Sequence, residues 1–411
     1  MRITVLAAMA AMGWAISPAV AASSLTLEDA IARSLDASPL LNAGEAAITA
    51  SGAGIDQARA RPNPELEVEV ENFTGSGPYS DFGSTETTVT YRQTLERGGK
   101  RRARVALAES DRGIARLERR KSAAEVAFET QQAWNAVLEA EAASGNAADR
   151  LRLAEDMAAI VQRRVKAARD PLAAGLKADN QVADARTAVM QAGLQLDAAR
   201  AALAAQLGED APAIDVDGSA FFLMADRPDG GHGPDLAVSK ARIERAGKSF
   251  ELEKVRTKSD PTIGVGMRRF EDGGDVAGVL SFSMPLAFFD KNRGNIDRAM
   301  AERQQAQWLL AEDQRRHAAA LRAARAQQAS ARVEVAAIRD DMLPRAGDAA
   351  RSARDGYDRG AFVYLEVADT QRALVELKAR EIAALKKFHE AQAVIDRLTG
   401  RWTMSAADGE L

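Results

Sequence analysis

The chain has 411 residues, a formal net charge of −4, no cysteine, and only 5% aromatic residues. The absence of cysteine excludes disulfides, thiolate metal sites and lipidation of an N-terminal cysteine. The mildly acidic balance gives no reason to expect nucleic acid as a partner. Few aromatic side chains and abundant alanine suit closely packed helices, so long coiled coils are the favoured class.

Residues 1–21 have the pattern of a secretory signal peptide. Arg2 supplies the positive charge, residues 3–16 form an apolar core rich in small side chains, and Ala19-Val20-Ala21 is a cleavage site of the A-x-A type. The apolar run is shorter than the roughly 18 residues that a transmembrane helix needs. No later stretch is long or apolar enough for one, so any insertion into a membrane is expected to use strands.

The mature sequence contains one plan twice. Residues 38–208 and 234–400 each read as a short helix, a proline, two strand-like runs, a long helical stretch, a polar tip and a returning helix. The plan predicts two structural repeats, 22–215 and 216–411. Near the tips, three short elements of the first repeat return in the second, each after the same number of positions. They are Ala168-Arg169-Asp170 with Ala353-Arg354-Asp355, Gly175 with Gly360, and Asp184 with Asp369. A repeat with only two strands cannot bury them alone, so further copies must complete the fold.

The four strand-like runs are predicted at about 64–73, 84–95, 261–270 and 276–288. The first alternates strictly, with Leu66, Val68 and Val70 on one face and a row of glutamates on the other. Polar, glycine-rich loops join each pair, as expected for hairpins. About ten residues is the length of a tilted strand that crosses an outer membrane. A soluble antiparallel sheet on a core would alternate equally well, but the signal peptide and the long helices favour a membrane barrel.

Four strands cannot close a barrel, and open strand edges are not tolerated in lipid. Two copies would supply eight strands, which side chains would fill, whereas three would supply twelve and leave room for an aqueous lumen. A trimer is therefore the simplest assembly that conducts. The acids predicted to face its lumen are Glu65, Glu67, Glu69 and Glu71. They are either a cation-attracting lining or the polar face that any water-filled pore needs.

Long helical stretches are predicted at about 99–207 and 294–399. Both returning helices carry a heptad seam of alternating large and small residues, which lets two helices approach closely and supercoil. In the first repeat the seam consists of Val182, Val189, Leu196 and Leu203 with Ala185, Ala192 and Ala199. Glu381 interrupts the second seam. Gly99 to Asp170 spans 71 positions and Gly294 to Asp355 spans 61. Either the repeats are misaligned or the second long helix is about three turns shorter.

Three motifs carry a resemblance to a known family. Leu25-Thr-Leu-Glu-Asp-Ala30 opens the mature chain, Arg61-Pro-Asn-Pro64 precedes the first strand, and Gln93-Thr-Leu-Glu-Arg-Gly-Gly-Lys-Arg101 follows the second. With these motifs the chain resembles the TolC-like outer-membrane efflux proteins over essentially all of its mature length, in particular their cation-efflux (CzcC-like) branch. The resemblance implies a mainly α protein with membrane β-strands. It implies a homotrimer whose 12-stranded β-barrel lies in the outer membrane of a Gram-negative bacterium and continues as an α-helical barrel in the periplasm.

The resemblance also implies partners and roles for the tips. The partners are a periplasmic adaptor (membrane fusion) protein, an inner-membrane RND pump and outer-membrane lipid. In the family, a tip glycine is followed by gating acids six and nine residues later. Gly360 is followed by Glu366 and Asp369, whereas Gly175 is followed by Gln181 and Asp184. The periplasmic gate is thus predicted at Glu366, Asp369 and Asp184.

The adaptor-contacting positions implied by the resemblance are Ala174, Gly175, Leu176, Arg359, Gly360 and Ala361. Arg359 departs from the small or apolar residue expected at its position. Gathered acids repel one another, so nearby arginines or bound cations must compensate them; the candidate arginines are Arg351, Arg354 and Arg359.

No catalytic constellation, cofactor motif or resident metal site is predicted. His232, His317 and His389 are scattered, and Gly98-Gly99-Lys100 lacks the frame of a phosphate-binding loop. Arg101, Arg102 and Arg104 follow it as a basic cluster at the periplasmic rim, either solvated or paired between protomers. The sequence therefore indicates a non-enzymatic exit duct of a tripartite RND-type efflux system, exporting divalent heavy-metal cations. The alternatives are the same duct for drugs or secreted protein, or a soluble periplasmic coiled-coil scaffold.

Overall fold

A computed structural model describes residues 25–209, 216–225 and 233–404. The predicted signal peptide and His232 lie outside these ranges. No helix within them is both long enough and apolar enough to cross a membrane.

The first half of the chain is built from four helices and two strands. They are α1 (Leu27–Ala37), α2 (Pro39–Arg59), β1 (Glu65–Glu71), β2 (Glu86–Thr94), α3 (Lys100–Lys166) and α4 (Leu172–Leu207). Thr26 caps α1 by accepting the N–H of Asp29 at 3.1 Å. Pro39 begins α2, a position where the missing proline N–H costs no hydrogen bond.

The second half repeats this order with one interruption. Its elements are α5 (Pro234–Arg256), β3 (Thr262–Phe270), β4 (Val276–Ser283), α6 (Arg293–Ala337), α7 (Leu343–Asp358), α8 (Tyr364–Thr399) and the short α9 (Arg401–Met404). A single π-helical turn, Ile338–Met342, joins α6 to α7. Pro344 explains it, because proline has no N–H for the preceding turn and its ring crowds that turn's carbonyl. The strand expected to reach residue 288 ends at Ser283, shortly before Pro285.

The four strands form one antiparallel sheet in the order β1-β2-β3-β4. The register places Val68 opposite Val89, Val89 opposite Met267, and Val265 opposite Leu280. The alternation read from the sequence is therefore confirmed. One face is a continuous exposed apolar surface, and the other carries the glutamates, threonines and arginines. β1 and β4 are the edge strands, and their outer sides have no partner among the residues that the structure describes.

The structural repeat differs from the sequence alignment by one heptad. α4 begins at Leu172 and α8 at Tyr364, and both have 36 residues. These starts lie one heptad further apart than Gly175 and Gly360, which the sequence alignment had paired. The long helices nearly match as well: α3 has 67 residues, and α6, the π turn and α7 have 45, 5 and 16. The offset read from the sequence was therefore a misalignment, and the second long helix is not three turns shorter.

Two apolar cores hold the helices together. The larger lies where α1, α3, α4 and α8 meet the segment 216–222, around Phe221, Val137 and Leu385. The smaller lies at the far end of the helices, around Met157, Tyr357 and Val367. The heptad seam of α4 is partly buried: Ala185, Ala192 and Leu203 are buried, and Leu203 belongs to the larger core. At Glu381, the break in the second seam, an ion pair with Arg339 of the π turn replaces the apolar contact.

Candidate functional site: the hairpin tips

The candidate site lies at two turns that share one backbone geometry. The first tip, residues 167–171, joins α3 to α4, and the second tip, residues 359–363, joins α7 to α8. In the first, the N–H groups of Ala168 and Arg169 donate to the carbonyls of Val165 and Arg164 at 3.0 and 2.9 Å.

The equivalent bonds of the second tip run from Gly360 and Ala361 to Tyr357 and Gly356 at 2.9 and 2.8 Å. Each turn has one residue in the left-handed region, Ala168 at φ 56° and Gly360 at φ 80°. Both are helix C-terminal turns of the Schellman type. The structural counterpart of Gly360 is thus Ala168.

The first tip is fastened by an ionic cluster. Arg164 pairs with Asp170 at 2.9 Å, donates to the backbone carbonyl of Tyr357 at 2.7 Å, and lies over the Tyr357 ring at 4.3 Å. The Tyr357 hydroxyl donates to the same Asp170 carboxylate. Tyr357 is fully buried. One cluster therefore ties the end of α3, the first tip and the end of α7 together.

Both acidic groups of the cluster have shifted pKa values. Burial alone would raise the pKa of Asp170, but hydrogen bonds from Arg164 and Tyr357 outweigh it and lower that pKa below its usual value. Burial, reinforced by the neighbouring Asp170 charge, raises the pKa of Tyr357. Asp170 is thus a stable anion and Tyr357 a stable neutral donor. Sequence reasoning singled out Asp170 as part of a repeated motif but missed this pairing, because Arg164 and Tyr357 lie on helices far apart in the chain.

The second tip is fastened by packing instead. A Cβ on Gly356 would come within 2.2 Å of the Phe362 ring, so the ring lies directly on this glycine. Tyr364, at the start of α8, donates its hydroxyl to Gln181 of α4 at 2.6 Å. Counted from Gly175, Gln181 was predicted to occupy the place of a gate acid; in the structure its side-chain oxygen is a neutral acceptor between the two hairpins.

The three predicted gate acids are all solvent-exposed. Glu366 and Asp369 follow Gly360 by six and nine residues. Asp184 lies on α4 beside Ala368, Gln371 and Arg372, the stretch of α8 that also carries Asp369. Glu366 accepts the N–H of Val363 at 3.4 Å and so also caps α8. Asp184 lines a cleft between α3, α4 and α8.

The compensating arginine within the protomer differs from the predicted ones. Arg372 lies 3.7 Å from Asp369 and lines the same cleft as Asp184. Of the predicted candidates, Arg351 pairs with Asp348 instead. Arg354 and Arg359 make no ion pair within the described ranges. Arg372 is three residues beyond Asp369 on the same helix, a spacing that sequence reasoning had available but did not use.

The predicted adaptor-contacting positions do not share one environment. Arg359, Gly360 and Ala361 are exposed in the second tip. Gly175, by contrast, is buried inside the first turn of α4, where a Cβ would come within 3.1 Å of Gln162. Its neighbour Leu176 is 58% exposed, and the nearby Leu172 is 70% exposed. The misaligned repeat offset explains the mismatch, because it placed Gly175 in a turn.

The predicted lumen acids lie together on the polar face of β1, and two of them are already paired. Glu67 pairs with Arg92, and Glu71 with Arg268 at 2.8 Å. Glu65 and Glu69 have no ion-pair partner in the described part of the chain. The row is therefore half neutralised within its own sheet.

His389 serves as a packing group. The Nε2 of His389 lies 2.8 Å from the carbonyl oxygen of Phe221, and its ring stacks on the Phe221 ring with 5.4 Å between centroids. No cluster of three metal-ligating side chains occurs among residues 25–209, 216–225 and 233–404.

Comparison with known proteins identifies the family that has this architecture. The outer membrane efflux protein family matches residues 30–209 and 231–401. The cobalt-zinc-cadmium resistance protein CzcC of Cupriavidus metallidurans is 28% identical over 400 residues, which cover 94% of this chain and 92% of that protein.

Two solved structures share the fold. The crystal structure of CusC aligns with a TM-score of 0.75 at 16% identity, over 91% of both chains. That of VceC from Vibrio cholerae aligns with a TM-score of 0.74 at 17% identity, over 91% of this chain and 96% of that one. The chain therefore belongs to the outer membrane efflux protein family and is a non-enzymatic TolC-like channel of the outer membrane that extends into the periplasm.

Proposed function

We propose that this efflux duct exports divalent heavy-metal cations, as the outer-membrane component of a tripartite RND-type system. The observation that carries the proposal is the likeness to a cobalt-zinc-cadmium resistance protein across 94% of the chain. A nickel-cobalt-cadmium resistance protein of Alcaligenes xylosoxydans xylosoxydans, 28% identical over 65% of the chain, supports the same substrate class. Family membership favours a duct over the soluble scaffold.

The proposed assembly is a homotrimer. The trimer is supported by the open sheet of the single protomer. Among the described residues, β1 and β4 each have an unpaired edge, and strand edges in lipid must be closed. Three protomers supply twelve strands. The helices have matching open faces, since Met190 and Leu194 of α4 and Trp308 and Leu309 of α6 are exposed in the protomer. Neighbouring copies would cover these side chains.

The proposed docking surface for the periplasmic adaptor is the pair of tips. Its positions are Ala174, Gly175, Leu176, Arg359, Gly360 and Ala361, with the exposed Leu176 and the second tip supplying the accessible part. The inner-membrane pump supplies the energy, and this chain acts as a passive exit.

The proposed gate consists of Glu366, Asp369 and Asp184 from each protomer of the trimer, and Asp184 lies beside the part of α8 that carries Asp369. Because Arg372 lies beside Asp369 and in the cleft of Asp184, it partly offsets the repulsion between these acids. A divalent cation that enters from the periplasm would occupy the remaining acids and slow conduction.

Deleting the gene tests the substrate class. We expect sensitivity to cobalt, zinc or cadmium, restored by the wild-type gene, with little change towards detergents and dyes. Sensitivity confined to detergents and dyes would move the chain to drug export and leave the duct assignment intact.

Bilayer recordings test the gate. Replacing Glu366 and Asp369 together with Ala should abolish block by divalent cations added on the periplasmic side, without dissociating the trimer. Asp348→Ala with Asp341→Ala is the matched control, because both acids are exposed on the same hairpin but lie away from the proposed gate. A double mutant that keeps the wild-type block would remove these acids from the gate.

A further inference from the structure

The two ends of the sheet carry opposite charge. The end formed by the hairpin loops exposes Asp81, Asp272 and Asp275, and its Arg269 is paired with Glu271 at 3.2 Å. The other end, where the strands meet the helices, exposes a group of basic side chains. This basic belt consists of Arg61, Arg97, Arg101, Arg102, Lys291 and Arg293.

In the described part of the chain the belt has more basic than unpaired acidic groups around it. Of the acids near it in sequence, Asp260 pairs with Lys100 at 2.7 Å and Glu96 pairs with Arg104, whereas Glu65 and Asp297 make no ion pair there. Asp290 accepts the backbone N–H of Asn292 at 2.8 Å. None of the six belt residues has an ion-pair partner among the residues that the structure describes. The belt therefore presents a net positive surface.

An exposed apolar segment lies at the same end of the sheet. Leu286, Phe288 and Phe289 are 64%, 71% and 103% exposed, just after β4. They continue the exposed apolar face of β4, where Leu280 and Phe282 are 79% and 68% exposed. Lys291 and Arg293 of the belt follow at once in sequence, so apolar and basic groups adjoin.

The height of the sheet places this segment at a membrane boundary. A strand of nine residues rises about 30 Å, and a tilt of about 40° reduces its vertical span to about 23 Å. The apolar band of an outer-membrane protein is about 25 Å tall. Leu286, Phe288 and Phe289 thus complete the band. Because the helices extend into the periplasm, this edge of the band faces the inner leaflet.

We propose that the belt and the apolar segment form a docking surface for anionic phospholipid headgroups in the inner leaflet of the outer membrane. The apolar side chains would lie at the hydrocarbon boundary, and the belt would bind the phosphate groups. The proposal rests on the outer-membrane location of the family and is independent of what the duct exports.

A neighbouring copy fits this surface less well than lipid does. In a closed barrel, the free edge of β4 faces β1 of the next copy at the same height. That copy would bring Arg61 and Glu65 together, whose charges cancel, so it would supply no net negative charge to Lys291 and Arg293. An anionic lipid surface supplies the missing opposite charge.

Lipid selectivity tests the belt. The full-length protein is reconstituted in phosphatidylcholine vesicles that contain spin-labelled phosphatidylglycerol or phosphatidylcholine, and the motionally restricted fraction is compared. We expect phosphatidylglycerol to be preferred about fivefold, the effect of one cation near an anionic surface. Replacing Arg97, Arg101 and Arg102 together with Gln should bring the ratio towards one. The matched control replaces Arg163, Arg303 and Arg315, which are exposed on the helices away from the junction, and should keep the preference.

Two further measurements need no belt substitution. Raising the salt to 1 M shortens the Debye length to about 3 Å and should reduce the wild-type preference. A Phe289→Trp variant should gain emission that brominated lipid chains quench, whereas native Trp308, about 22 Å further along α6, should not be quenched. The proposal would be overturned if the wild-type protein bound the two lipids equally, or if both triple variants lost the preference to the same extent. It would also be overturned if brominated lipid failed to quench the Trp at 289, which would indicate that a second copy covers this position.

Discussion

The two hairpin tips have the same backbone geometry but are stabilised by different side-chain contacts. Equivalent hydrogen bonds close both turns. The first tip puts an alanine in the left-handed position and adds an ionic cluster around Asp170, whereas the second uses a glycine and a ring packed on Gly356. The comparison shows that backbone symmetry survived in a repeat whose side-chain contacts diverged. The first tip therefore tolerates strain because its cluster holds it.

Removing Arg164 should have the largest effect. Arg164→Ala leaves the largely buried Asp170 carboxylate without its cation and also deletes a ring contact and a backbone hydrogen bond. We expect the first tip to open more easily by about 3 kcal/mol. Hydrogen exchange of the amides at 163–175 measures this opening. Arg163→Ala, at the exposed neighbouring position, should change it by less than about 0.5 kcal/mol. If Arg164→Ala and Arg163→Ala changed the opening equally, the ionic cluster would not be what stabilises the first tip.

Removing the Tyr357 hydroxyl should have the next largest effect. Tyr357→Phe keeps the buried ring under Arg164 but withdraws a donor from a charged acceptor, which costs about 2 kcal/mol. The matched control is Tyr364→Phe, whose hydroxyl donates to the neutral Gln181, and about 1 kcal/mol is expected there. The same exchange experiment compares them. If Tyr364→Phe lowered the free energy of local opening more than Tyr357→Phe does, the ranking of the two stabilising contacts would be reversed.

Exchanging the left-handed residues should produce opposite effects at the two tips. Ala168→Gly relieves a strained φ of 56° and should stabilise the first tip by about 1 kcal/mol, while Gly360→Ala should destabilise the second by a similar amount. Comparing exchange protection in the two single variants and in the double variant checks this. Destabilisation by Ala168→Gly would show that the turn is not strained.

Acidification should have the smallest effect, and only at the first tip. The pKa of Asp170 is lowered in the folded state, so its contribution to stability is fully present above the unfolded value of about 4. That contribution is lost as the pH falls below about 4 and through the folded pKa. Exchange at pH 3 and pH 6, corrected for intrinsic rates, should show extra opening at residues 163–175. Asp170→Asn should remove this pH dependence, and an unchanged profile in that variant would assign it to another group.

Local pattern predicted most of the elements because the relevant forces act over a few residues. Alternation placed Val68 and Glu69 on opposite sheet faces, and the heptad seam identified the buried Ala185 and Ala192. The strand end at Ser283 was missed, although Pro285 signals it. The offset between the repeats was wrong by a heptad because a coiled-coil sequence resembles itself after every seven residues. Sequence similarity alone therefore could not choose the register.

The sequence by itself determined the helical and strand periods, the duplicated plan and the apolar and polar faces, since each depends on residues close together in the chain. Only the tertiary structure decided the register of the repeats and the partners of charged groups. Tyr357 meets Arg164 and Asp170 although the chain between them runs through α4, α5, β3, β4 and α6, and Arg268 of β3 reaches Glu71 of β1. Such pairs follow from how helices and strands pack in space. Chain separation carries no information about them, because a folded chain brings distant segments within hydrogen-bonding distance without leaving a local signal.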